Sequence, residues 1–63
     1  MNNSKAHMVI SARIAQAMDE LQAALLNIAN SDYAEAYKNL TRADNETRLI
    51  KRRFREIFRS PKP

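Results

Sequence analysis

Apolar residues recur along this chain at spacings of three and four, in two successive stretches. In the first they are Ile10, Ile14, Ala17, Met18, Leu21, Ala24, Leu25 and Ile28, while Arg13, Gln16, Glu20 and Asn27 fall off that stripe. Such spacing winds an apolar band along one side of an α-helix, here a band wider than a two-column coiled-coil seam. In the second stretch Tyr33, Leu40, Thr47 and Phe54 share one position of a seven-residue repeat, and Ala36, Ala43, Ile50 and Ile57 follow three residues later. That is the arrangement by which one helix packs along another. It predicts helices over residues 5–29 and 33–59, a turn at 30–32 and a loose tail at 60–63.

The boundaries carry their own signals. Ser4 can cap the first helix with its hydroxyl, and Asn30 can end it in the left-handed conformation that Gly usually supplies. Asp32 is the expected N-cap of the second helix, with Glu35 reaching back to complete a capping box and Ser31 as the alternative cap. So short a turn makes the two helices antiparallel neighbours. Asp44-Asn45 is the weak point of the second helix, because both residues favour caps over interiors. The repeat nevertheless runs through it unshifted, with Ala43 and Thr47 in phase, so one continuous helix is expected.

Composition turns the hairpin into an assembly. With 63 residues the chain is one folding unit, and chains of this size are marginally stable on their own. It has no Cys to form a disulfide or a thiolate metal site, and His7 is its single imidazole. Met18, Leu25, Tyr37 and Phe58 flank the seams and would stay wet in a lone hairpin, at a cost of ~1.5–3 kcal/mol for each large apolar side chain left exposed. The expected fold class is therefore all-α: a two-helix antiparallel hairpin in a homo-oligomeric bundle. Its expected oligomer core is Ile10, Ile14, Leu21, Leu25, Ile28, Tyr33, Leu40, Ile50, Phe54 and Ile57. A dimer leads on the general frequency of such bundles, with trimer and tetramer as the other arrangements. Gly is absent, which removes phosphate-cradling Gly-rich loops and disfavours tight β-hairpins. The longest apolar run, Ala23 to Leu26, falls far short of the ~20 residues a membrane span needs, so no membrane role is expected and the cytoplasm is the expected location.

Charge is unevenly placed. The net charge is +4, and residues 51–63 hold Lys51, Arg52, Arg53, Arg55, Arg59 and Lys62 against Glu56 alone. At 100° per residue, Ile50, Phe54, Ile57 and Phe58 share an apolar arc, and Arg48, Lys51, Arg52, Arg55 and Arg59 occupy the opposite one. Three readings of that basic arc compete. It is a solvated face that keeps the protein soluble, a contact for nucleic-acid phosphates, or a dock for an acidic protein surface anchored by Tyr33, Tyr37 or Phe58. Arg53, beside the apolar edge, is placed to brace Glu56 or a neighbouring helix.

Catalytic chemistry finds no footing. His7 falls in phase with Ile14, Leu21 and Ile28, as an imidazole at the end of a seam. Asp19-Glu20 and Asp44-x-Glu46 point to different sides of their helices, and neither ExxH nor HExxH occurs. Ser4, Ser11, Ser31 and Ser60 lack a base, and Tyr33 with Tyr37 reads as a pair at the edge of the core. The expectation is no enzyme activity, no cofactor, no metal and no small-molecule substrate.

From Met1-Asn2-Asn3-Ser4 through Leu49-Ile50-Lys51-Arg52-Arg53-Phe54-Arg55, the chain resembles the small early proteins of the exo–xis region of lambdoid bacteriophages. The resemblance implies a protein made early in infection in the bacterial cytoplasm. It implies a part in the choice between lysis and lysogeny, through a host or phage protein or nucleic acid. It supplies no binding residues to carry over. The expected function is that of a non-enzymatic interaction protein; the alternative is a nucleic-acid-binding module that uses the basic arc.

Overall fold

The computed structural model describes residues 3–58, of which 93% are helical and none is in a strand. Helix α1 runs Asn3–Ala29 and helix α2 runs Tyr33–Ile57, packed side by side as an antiparallel hairpin 46 Å long. Ser4 is already inside α1, so it does not cap the helix as its hydroxyl had suggested. Phe58 closes α2, its N–H donating to the Phe54 carbonyl at 2.8 Å. The expected tail at 60–63 and the last expected helical residue, Arg59, lie outside the described residues.

The turn is built around Ser31. Its φ of 60° is the left-handed conformation expected at Asn30, one residue earlier. Ser31 N–H donates to the Ile28 carbonyl at 2.9 Å, and Asp32 N–H donates to the Asn27 carbonyl at 2.7 Å. Those two bonds form a Schellman closure, which satisfies carbonyls at the end of α1 that no further turn of helix can reach. Asp32 then does double duty: its Oδ1 accepts from Glu35 N–H at 3.3 Å and caps α2. The return half of the capping box is missing, because the Asp32 N–H is already committed to Asn27. The Glu35 carboxylate pairs with Lys38 at 3.4 Å instead.

Helix α2 passes through Asp44-Asn45 without a break. Asp44 accepts an i,i+4 contact from Arg48 at 3.3 Å, the orientation that favours a helix. Thr47 turns its hydroxyl inward to the Ala43 carbonyl at 2.8 Å, so its polar group is satisfied within the helix.

The seam between the helices differs from the expected one. On α2 the buried residues are Ala36, Asn39, Ala43 and Ile50, and on α1 they are Ile10, Ala17 and Ala24. Arg13, Glu20, Asn27 and Glu46 are half-buried beside them. Each helix therefore offers its partner one column of Ala and Ile and one column of polar residues. The polar columns are Arg13, Glu20, Asn27 on α1 and Asn39, Glu46, Arg53 on α2. The column Tyr33, Leu40, Thr47, Phe54, expected on the seam, is exposed along its whole length. The physical reason is size. Ala17, Ala24, Ala36 and Ala43 let the two backbones approach closely, whereas Leu40 or Phe54 at the same place would hold them apart.

The left-handed Ser31 gives a direct test. A side chain with a Cβ pays ~1–2 kcal/mol for this conformation, and Gly does not. Ser31→Gly is expected to stabilise the fold by about 0.5–1 kcal/mol, the rest being lost to the greater freedom of Gly in the unfolded chain. Thermal unfolding followed by circular dichroism at fixed protein concentration measures it, and a lowered Tm would contradict the turn geometry.

Candidate interaction surfaces

Inside the hairpin the polar columns form one connected network near the turn. Asn39 is only 6% exposed, and its amide is fully engaged. Its Oδ1 accepts from Asn27 Nδ2 at 2.7 Å, and its Nδ2 donates to Glu20 Oε1 at 3.1 Å. Arg42 approaches the same Glu20 carboxylate oxygen at 3.8 Å. Further along, Glu46 Oε1 is buried with no hydrogen-bond partner. Asn39 reaches Asn27 on one side and Glu20 on the other, and this pair of bonds fixes the register. Sequence reasoning placed Arg13, Glu20 and Asn27 off the apolar stripe. The signal that could have found them is their own seven-residue repeat, running beside Ala17 and Ala24.

Most of the expected oligomer core lies outside this seam. Ile10 and Ile50 are buried within the hairpin; Ile14, Leu21, Leu25, Ile28, Tyr33, Leu40, Phe54 and Ile57 are exposed. These residues are not scattered. On α1 the column next to the seam is His7, Ile14, Leu21, Ile28, with Met18 and Leu25 beyond it. On α2 the neighbouring column is Tyr33, Leu40, Thr47, Phe54, with Tyr37 and Phe58 beyond it. Because the helices are antiparallel, both columns fall on one side of the hairpin. The open end shows this directly, where His7 meets Phe58 edge-on at 5.7 Å and Phe58 lies 4.8 Å from Phe54. His7, Ile10, Ser11, Phe54 and Phe58 line a shallow pocket there. His7 is thus an exposed imidazole packed at the end of the face, in phase as its spacing had indicated. Tyr33 and Tyr37 are both exposed on the same side at the turn end, at 64% and 73%.

The result is a hairpin with one broad apolar face whose two inner columns contain no Asp, Glu, Lys or Arg. The opposite side is mixed. It carries Val9, Leu26 and Leu49 as isolated apolar residues among Gln16, Glu35, Arg42 and Glu56.

The basic residues form a second surface. Arg48, Lys51, Arg52 and Arg55 are all exposed on the side of α2 turned away from α1. Arg53 continues the seven-residue column of Asn39 and Glu46 but is exposed, and no Arg53–Glu56 ion pair forms among the described residues. Arg59, the remaining candidate contact, lies outside the described residues. Among the described residues no cluster of His, Cys, Asp or Glu is placed to hold a metal ion, and no helix is long and apolar enough to cross a membrane. Comparisons with protein families, with curated proteins and with solved structures found no match.

The buried amide pair offers the second prediction. Removing one partner leaves the other desolvated and unpaired, which costs ~1–3 kcal/mol, whereas removing both costs less than the sum. Asn27→Ala and Asn39→Ala are each expected to destabilise the fold by that amount, with a coupling energy of about 0.5–1.5 kcal/mol in a double-mutant cycle. Strict additivity in urea unfolding would show that the two amides do not meet.

Proposed function

We propose that this chain is a non-enzymatic interaction protein that works as a homo-oligomer, pairing its apolar face with the same face of a second copy. The observation that carries this reading is the apolar face running the length of both helices, whose two inner columns carry no Asp, Glu, Lys or Arg. In plan the hairpin measures 46 by 23 Å, roughly 1,000 Å², against ~800 Å² per partner in a standard stable interface. Two further points favour a second copy as the occupant. The buried core of one hairpin is essentially Ile10, Ile50 and four Ala, too little apolar surface for an independent fold of this size. And the molecule carries a net charge of +4, so a symmetric pairing must bring together surfaces free of its cations. The inner columns of the apolar face meet that condition.

A four-helix dimer satisfies both helices at once, and trimeric or tetrameric bundles are the alternatives that a mass measurement separates. The resemblance to early lambdoid phage proteins supports a role for the assembled protein in phage development, in the bacterial cytoplasm, through a host or phage macromolecule.

The mass in solution tests the assembly. Light scattering is expected to give twice the 7.3 kDa chain mass. Leu40→Asp, in the centre of the apolar face, is expected to reduce the mass to that of one chain, with helix content reduced as the exposed hairpin frays. Leu49→Asp, equally exposed but on the mixed side, is expected to leave the mass unchanged. Ile50→Asp places a charge in the intramolecular seam and is expected to abolish the hairpin, read as loss of the helical circular dichroism signal. A wild-type chain that is monomeric and well folded at micromolar concentration would overturn the reading.

A further inference from the structure

The cations of α2 divide into two groups. Lys38, Arg42 and Arg48 each face a carboxylate, those of Glu35, Glu20 and Asp44, at 3.4, 3.8 and 3.3 Å. Lys51, Arg52, Arg53 and Arg55 face none among the described residues, although Glu56 lies three and four positions from Arg53 and Arg52, a spacing at which helical ion pairs form. The antiparallel hairpin brings the start of α1 to the same end, with no acidic residue in its first turn. One end of the molecule therefore holds a positive potential that its own carboxylates do not neutralise.

We infer that Lys51, Arg52 and Arg55, joined by Arg48 when it exchanges its exposed Asp44 contact for a phosphate, form a strip that binds the phosphate backbone of duplex nucleic acid without reading its bases. The four side chains are exposed, and seven residues of helix separate the first from the last, about 10 Å along the axis. Duplex DNA presents one negative charge per ≈1.7 Å of its axis, so roughly six charges fall within that length. A folded acidic protein surface seldom reaches such density, and that difference favours nucleic acid as the partner. Three of the four cations are Arg, whose planar guanidinium engages phosphate oxygens in pairs. Arg48, Arg52 and Arg55 point away from α1, and Lys51 borders the apolar face in the column of Tyr37 and Phe58, clear of its inner columns, so the strip stays open whether or not the hairpins pair. A symmetric dimer would carry it twice.

The test is fluorescence anisotropy with a labelled random-sequence DNA duplex at 50 and 200 mM salt, with the mass of the protein recorded on the same sample. Contact with about four phosphates predicts roughly a hundredfold loss of affinity between the two salt concentrations. The double variant Arg52→Gln, Arg55→Gln is expected to bind more weakly and to lower the salt slope by about two, with its helix content and mass unchanged. Failure to bind at 50 mM salt overturns the proposal, as does a variant that binds like the original. Displacement of the duplex by a polyglutamate peptide at lower concentration than by unlabelled DNA also overturns it, and assigns the strip to an acidic protein.

Discussion

The close approach of two helices across four alanines is the constraint on which the rest of this structure depends. Ala17, Ala24, Ala36 and Ala43 are all buried between α1 and α2, where their methyl groups place little bulk between the two backbones. The bulky residues of the apolar band are consequently displaced to one side of the hairpin. Ile14, Leu21 and Ile28 on one helix and Leu40 and Phe54 on the other stand beside the seam, close to half-exposed. A seam built of Leu and Ile would have used that apolar surface within one chain and left little to offer a partner. The alanine seam does the opposite. It holds the two helices together at short range and reserves the large side chains for something outside the hairpin.

Segregation of charge follows from the same geometry. Once the alanine and polar columns are turned inward and the bulky columns to one side, the cations of the last three turns of α2 have only the outer side left. Nearer the turn, carboxylates accompany the cations: Glu35 beside Lys38, Glu20 beside Arg42, Asp44 beside Arg48. These exposed pairs contribute a few tenths of a kcal/mol each at most, so their meaning is less about stability than about local neutrality. The hairpin is close to neutral where the turn lies and positive where its termini lie. The apolar face runs the whole length between those ends and belongs to neither.

Much of this was legible in the residues, and the part that was not has a specific cause. Spacing located both helices and the continuity of α2 through Asp44-Asn45, and the capping residues located the short antiparallel turn and the Asp32 cap. Asp32 and Ser31 shared the turn differently than expected, because Schellman closure needs its left-handed residue one position beyond Asn30. The larger misreading concerned which column faces which neighbour. A seven-residue repeat identifies columns, but an apolar band three or four columns wide does not say which of them meets the other helix of the same chain. The alanines carried that information. Small residues mark the line of closest approach, and the polar residues Glu20, Asn27 and Asn39 sit next to it because their amides and carboxylate satisfy one another there. Read by hydropathy they belong outside; read by size and repeat they belong on the seam.

The polar ladder also explains why the hairpin does not trade one seam for another. Rotating α2 to bring Leu40 and Phe54 against α1 would bury more apolar surface, and by that measure it should compete. It would also strip Asn39 of both partners and separate Glu20 from its amide donor. Buried polar groups left unpaired cost ~1–3 kcal/mol each, comparable to the gain from burying one large apolar side chain. A slip by one heptad meets the same objection, since Asn39 then no longer lies between Asn27 and Glu20. A hydrophobic pair in place of Asn27 and Asn39 would hold the helices together at least as well, but it would not discriminate between registers. Specifying one seam over its competitors is what keeps the apolar face pointing outward, and so the weakest-looking positions in the core are the ones that decide which surface the protein presents.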